Sequence, residues 1–172
     1  MAPWRAVALF LAAVSPGVPA ATWAQAQGAQ VPFGGLSHDS SLPVEITSDR
    51  LDLDQAAGTA IFTGTVKVGQ GELRMAADRI EVFYAAEDGA STGTIDRMLA
   101  TGNVTLSNGD EAAESQQATY EVATGIIEME GDVLLTQGQN ALSSQSLRID
   151  LNSGTGTLQG RVQTIFTPRS AP

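Results

Sequence analysis

The chain has 172 residues, with 19 acidic side chains against nine lysines and arginines, and no cysteine. That length fits one domain with short extensions. The charge balance excludes a nucleic-acid binder, which needs clustered Lys and Arg, and the missing thiols exclude disulfides, iron–sulfur clusters, thiol catalysis and thiolate zinc sites.

The chain opens "MAPWRAVALFLAAVSPGVPAATWAQAQ". One positive charge, Arg5, precedes an apolar run from Ala6 to Val14; Pro16 and Gly17 follow, then Ala24-Gln25-Ala26. This is the layout of a cleaved secretory signal, and the run is too short to span a bilayer, which takes about 20 apolar residues. Residues 1–26 are therefore expected to be a signal peptide, removed after Ala26 or Ala24 together with Trp4 and Trp23. Residues 27–41, "QGAQVPFGGLSHDSS", lack periodicity and are expected to be a flexible linker. Residues 42–168 carry the pattern, and residues 169–172 form a tail.

A repeat organises the patterned region. Gly64, Gly102, Gly131 and Gly160 are each followed two residues later by valine: Val66, Val104, Val133 and Val162. Small residues precede them at matching places: Ser48, Ala77, Ser115 and Ser144. The spacing gives a unit of 29 residues written four times, with a nine-residue insertion in the second, within Ala85 to Gly93. A fixed period of this kind marks a stacked architecture.

Within each unit apolar residues alternate with polar ones, the period of a strand with one wet and one dry face. The dry face takes in Ile46, Leu51, Leu53, Phe62, Val66, Val68, Met75, Ile80 and Val82. It continues through Val104, Leu106, Tyr120, Met129, Val133, Leu135, Leu142, Leu147 and Ile149. The phase slips by one between Ala77 and Ile80, and again between Ser144 and Leu147, which points to a bulge or corner beside each small residue. The anchor glycines are expected to leave gaps in the dry column. The fold class is all-β: an elongated antiparallel stack folded into two facing sheets, with about 16 short strands. On the residues alone, the dry columns fit either a closed core or a groove for an apolar ligand.

Catalytic chemistry finds no footing. His38 is the sole histidine and has no partner, so the serines have no triad. The acidic groups Asp52, Asp54, Glu128 and Glu130 alternate with apolar residues, which places them on the wet face of strands rather than in a calcium or glycosidase site. No enzyme activity, cofactor or metal is expected.

The segments "PVEITSDRLDLD" from Pro43, "FTGTVKVGQGELRMAADRIEV" from Phe62, "ATYEVATGIIEMEGDVLLTQG" from Ala118 and "GRVQTIFTP" from Gly160 resemble the LptA/OstA-like family of lipopolysaccharide transport. The resemblance implies a twisted two-sheet β-jellyroll with an open apolar interior, acting in the periplasm as a lipopolysaccharide-binding bridge. The dry-face residues would then line a groove for lipid A acyl chains. It also implies partner edges. Pro43, Val44, Glu45, Ile46 and Thr47 would meet an inner-membrane jellyroll component. Arg161, Val162, Gln163, Thr164, Ile165 and Phe166 would meet the outer-membrane translocon. Head-to-tail self-association would use the same edges. The surplus of acidic groups implies that acyl contacts dominate over phosphate contacts.

Overall fold

The computed structural model describes residues 29–32, 39, 41–88 and 90–165. The proposed signal peptide, His38, Phe166 and the tail lie outside the described residues. Eleven strands run in chain order: β1 (Ala29–Pro32), β2 (Glu45–Thr47), β3 (Arg50–Asp54), β4 (Thr59–Gln70), β5 (Leu73–Glu87), β6 (Ala90–Asn108), β7 (Glu111–Glu121), β8 (Ile126–Gln137), β9 (Asn140–Asp150), β10 (Thr155–Gln159) and β11 (Gln163–Ile165). All pair antiparallel in one sheet, in the order β1-β10-β9-β8-β7-β6-β5-β4-β2, with β3 also on β4 and β11 also on β9.

Two expectations need correcting. The 16 short strands become eleven, because the ladder resumes after each corner and β4 to β9 run through as long, bent strands. The expected linker contains a strand, β1, whose pairing partner β10 lies far along the sequence.

The corners fall where the phase slips. In β8 the ladder to β9 jumps from Glu130↔Ser146 to Val133↔Ser144, so Gly131 and Asp132 stand opposite Gln145 alone. The same two-against-one pattern sets Gly64-Thr65 opposite Asp78 and Gly102-Asn103 opposite Gln116. Such a bulge bends the strand and raises its twist. Gly131 has φ +83° and Asp132 has φ +49°, a left-handed pair that glycine enters without steric cost. The glycine does more than leave a gap in the dry column. A Cβ at Gly131 would lie 2.9 Å from Cβ of Gln116 on β7, so the neighbouring corner side chain occupies the space. The small residues on the other strands also contribute: Ser115 Oγ donates to the Gln117 carbonyl (2.9 Å) and Ser144 Oγ to the Ser146 carbonyl (2.9 Å). These bonds satisfy backbone groups at the bend.

The line of corners divides the sheet into two halves. The upper half holds the segments that meet at the tight turns Gly71-Glu72, Gly109-Asp110 and Gly138-Gln139, with β2 and β11 at its edges. The lower half holds β3, β10, β1 and the other ends of β4 to β9. Their inner faces close on one apolar core that includes Val66, Leu106 and Leu135 from the upper half and Ile80, Met129 and Ile149 from the lower. Hydrogen bonds also join the halves: inside, Tyr120 Oη in the lower half donates to Gln70 Oε1 in the upper (2.7 Å), and at the surface Gln137 Nε2 donates to the Pro32 carbonyl (2.5 Å).

Candidate functional site: the apolar interior and its edges

Alternation along each strand sends every second side chain inward, and stacking turns these side chains into columns. Of the dry-face residues, Val66, Val68, Met75, Ile80, Val82, Val104, Leu106, Tyr120, Met129, Val133, Leu135, Leu142, Leu147 and Ile149 are buried. Ile46 and Phe62 are partly buried against the same cluster. Leu51 and Leu53 differ: they are 47% and 66% exposed. Both point inward by parity, but no described strand lies beyond β3 to cover them. The apolar column is therefore continuous through the stack and uncovered at its β3 end.

That end carries a cleft of about 330 Å³ lined by Leu53, Asp54, Gln55, Gly58, Thr59, Tyr84 and Ser91. Tyr84 packs against the core cluster, so the cleft abuts the interior. The insertion supplies part of its wall. It lengthens β5 and β6 into a hairpin arm, paired Tyr84↔Ile95 and Ala86↔Ser91, that extends past the ladders of β4 and β7. A second cleft, about 500 Å³, opens beside β2 and is lined by Leu42, Pro43, Glu45, Thr47, Lys67, Val68, Gly69, Gly71 and Arg74. Lys67, the one lysine of the chain, and Arg74 thus line the same cleft beside the predicted N-terminal edge.

Sequence reasoning missed several interior residues. Leu73, Met98 and Ile127 are buried, and they continue the alternation of Met75, Ala100 and Met129, so the pattern could have found them; Leu158, two before Gly160, is buried as that spacing predicts. The Tyr120–Gln70 bond had no such signal. Both residues are buried, at 1% and 3% exposure, and they are separated by 50 positions. Burial pushes the Tyr120 phenol up to about 12, because a phenolate is poorly solvated there.

The outer faces are wet, as the alternation predicts. Asp52, Asp54, Glu128 and Glu130 are exposed. Arg50 pairs with Asp52 (2.6 Å), Arg79 with Glu81 (2.9 Å), and Arg148 with Glu128. The hydrogen bond from Arg50 holds the Asp52 carboxyl below the usual carboxylate range, and backbone donors, Ser153 before Asn152, do the same for Asp150. Among the described residues, no group of three or more His, Asp and Glu is placed to hold a metal, and no helix is long and apolar enough to cross a membrane.

The predicted partner edges are single-sided. β2 and β3 pair only with β4 among the described residues, and β11 pairs only with β9. Pro43 and Val44 precede β2, while Arg161 and Val162 form the bend into β11. Unpaired backbone edges of this kind are templates for strand addition.

Comparison with known proteins adds a family. The model described as LptA/(LptD N-terminal domain) LPS transport protein matches residues 45–155. The chain is 32% identical over 157 residues to an uncharacterized protein of Rhizobium meliloti, R00383, covering 87% of this chain and 84% of that one. It is 29% identical over 111 residues to the lipopolysaccharide export system protein LptA of Escherichia coli K12, covering 63% of this chain and 60% of LptA. The crystal structure of LptH, the LptA homologous periplasmic component of the lipopolysaccharide transport device of Pseudomonas aeruginosa, shares the fold: the TM-score is 0.67 at 14% identity, over 77% of this chain and 100% of LptH.

Proposed function

The chain belongs to the LptA/LptD N-terminal domain family of lipopolysaccharide transport proteins, and from that premise we propose that it is a periplasmic bridge without enzymatic activity. In this reading it takes lipid A acyl chains into the apolar interior and passes them from an inner-membrane jellyroll at the β2–β3 edge to an outer-membrane translocon at the β10–β11 edge. The observation that carries the reading is the continuous apolar column, uncovered at Leu51 and Leu53. An acyl chain that enters such a column gains roughly 0.8 kcal/mol per methylene buried. Opening the two halves would exchange part of the core for ligand, and the line of Gly-X corners is where they could hinge. The surplus of acidic groups (19 against nine) disfavours long-range attraction of lipid A phosphates, so acyl contacts dominate.

A second reading is an edge-to-edge assembly protein with no lipid cargo. The complete burial of the central columns, such as Val66, Leu106 and Leu135 at 0% exposure, favours it. Mass spectrometry separates the two. Protein purified natively from the periplasm should carry lipid A, and Val66→Asp, if circular dichroism shows it folded, should not. Lipid-free wild-type protein, together with unaltered edge binding by the folded variant, would leave the assembly reading standing.

A further inference from the structure

β1 stands in a place that the repeat reserves for something else. Inside the stack the lower-half register follows one rule. Each strand that carries a small residue at its corner sets two inward side chains against the positions two and four before the neighbouring anchor glycine. Thus Leu51 faces Phe62 and Leu53 faces Ala60; Ile80 faces Ala100 and Val82 faces Met98; Leu147 faces Leu158 and Ile149 faces Gly156. Continued past β10, the rule calls for an inward pair against Leu158 and Gly156 from the other side. β1 supplies that pair, with Ala29 opposite Leu158 and Val31 opposite Gly156.

In a second copy laid end to end, β3 would bring Leu51 and Leu53 to those same two positions. The direction also matches. Neighbours from β3 through β10 alternate antiparallel, so β3 of the next copy would run antiparallel to β10, and β1 runs that way too. The imitation is small: four ladder pairs to β10 and one bond from Gln137 Nε2 to the Pro32 carbonyl hold it. β1 has four residues, of which only Val31 is partly buried, and Pro32 offers no N–H to a ladder. The leucines of β3 are larger than Ala29 and Val31 and are exposed. They therefore gain more apolar burial on docking than β1 loses on leaving.

We propose that β1 is an exchangeable strand: it caps β10 with the chain's own N-terminal residues and yields that edge to β3 of a second copy. The proposal rests on the bridge reading and adds to it a competitor built into each copy, which delays chain growth until copies meet at sufficient concentration.

The test uses protein purified from the periplasm. A variant lacking residues 27–32, with its fold checked by circular dichroism, should self-associate at least tenfold more tightly than wild type in sedimentation equilibrium. Gln30→Cys with Thr157→Cys locks the cap, because these residues are ladder partners and the chain has no other cysteine. Oxidised, this variant should associate at least tenfold more weakly than wild type, and reduction should restore it. Asp52→Cys mixed with Thr157→Cys should form a disulfide between copies, more readily when residues 27–32 are absent. Equal association in all forms with no mixed disulfide would overturn the exchange while leaving lipid carriage untouched. No self-association in any form, with no bound lipid A, would overturn both.

Discussion

The two ends of the stack are made from the same repeat yet present different surfaces. At the β2–β3 end, Leu51 and Leu53 lie open and, among the described residues, no further strand pairs with the backbone edge. At the other end β10 carries the equivalent apolar pair, Gly156 and Leu158, but both are buried, because β1 closes over them. The difference does not come from the repeat unit. It comes from whether a further strand is available to cover the last rung, since one unit cannot bury its own dry face. An end is therefore defined by its neighbour, and the interior between the ends supplies the stability.

Predictions that break or sharpen this contrast start in the middle. Leu135→Ala removes a fully buried side chain distant from either edge and should cost about 2–5 kcal/mol in urea unfolding. At a corner, Gly131→Ala places a Cβ 2.9 Å from Gln116 in a left-handed backbone and should cost about 1–3 kcal/mol. Gly58→Ala, with open space around it, should cost about 1 kcal/mol.

Tyr120→Phe removes the bond to Gln70 and should cost about 1 kcal/mol at neutral pH. It should also change the alkaline limb of stability. The folded-state pKa of Tyr120 is raised, to about 12, so its contribution is intact below the unfolded value of about 10 and is lost as pH rises through the folded one, by about 2–3 kcal/mol. The phenylalanine variant should lack that loss between pH about 10 and 12.

The ends should behave differently. Leu53→Ala should change stability by no more than about 0.5 kcal/mol, because its side chain is already 66% exposed, yet it should weaken end-to-end association measurably. The smallest effects belong to Asp52 on β3 and Asp150 beside β10. Both carboxyls are held below their usual range, so each contributes stability above about pH 4 that is lost as pH falls. Asp52→Asn and Asp150→Asn should each flatten the acid limb slightly, since exposed ion pairs and turn bonds are screened by solvent.

The sequence made much of the fold legible because its signals are local and repeated. Met129, Val133 and Leu135 read as an inward column from their spacing alone, and the structure buries all three. The phase slip beside Ser144 marked a corner, which the ladder shows between Glu130 and Val133. Sequence spacing did not report where the glycine leaves room, because a positive φ redirects the missing Cβ toward a neighbouring strand. Leu51 and Leu53 had the right parity for burial, but parity says nothing about whether another strand follows. β1 escaped notice for a related reason. Four residues, "AQVP", hold no period, and their partner β10 is reached only after the whole stack has been built.

One consequence lies in the strand count. Leaving β1 aside, the described residues form eight strands in the lower half, from β3 to β10, and eight in the upper half, from β2 to β11. With alternating direction, an even number makes the first and last strands run oppositely. A copy shifted along the stack axis without rotation therefore continues the alternation. An odd number would have required a flip, joining like ends into a two-fold dimer that grows no further. Even parity makes unlike ends complementary, so the end-to-end contact proposed above would be heterologous and open. An assembly built this way would have a front and a back, and the cargo proposed for it would meet the same order of rungs in every copy.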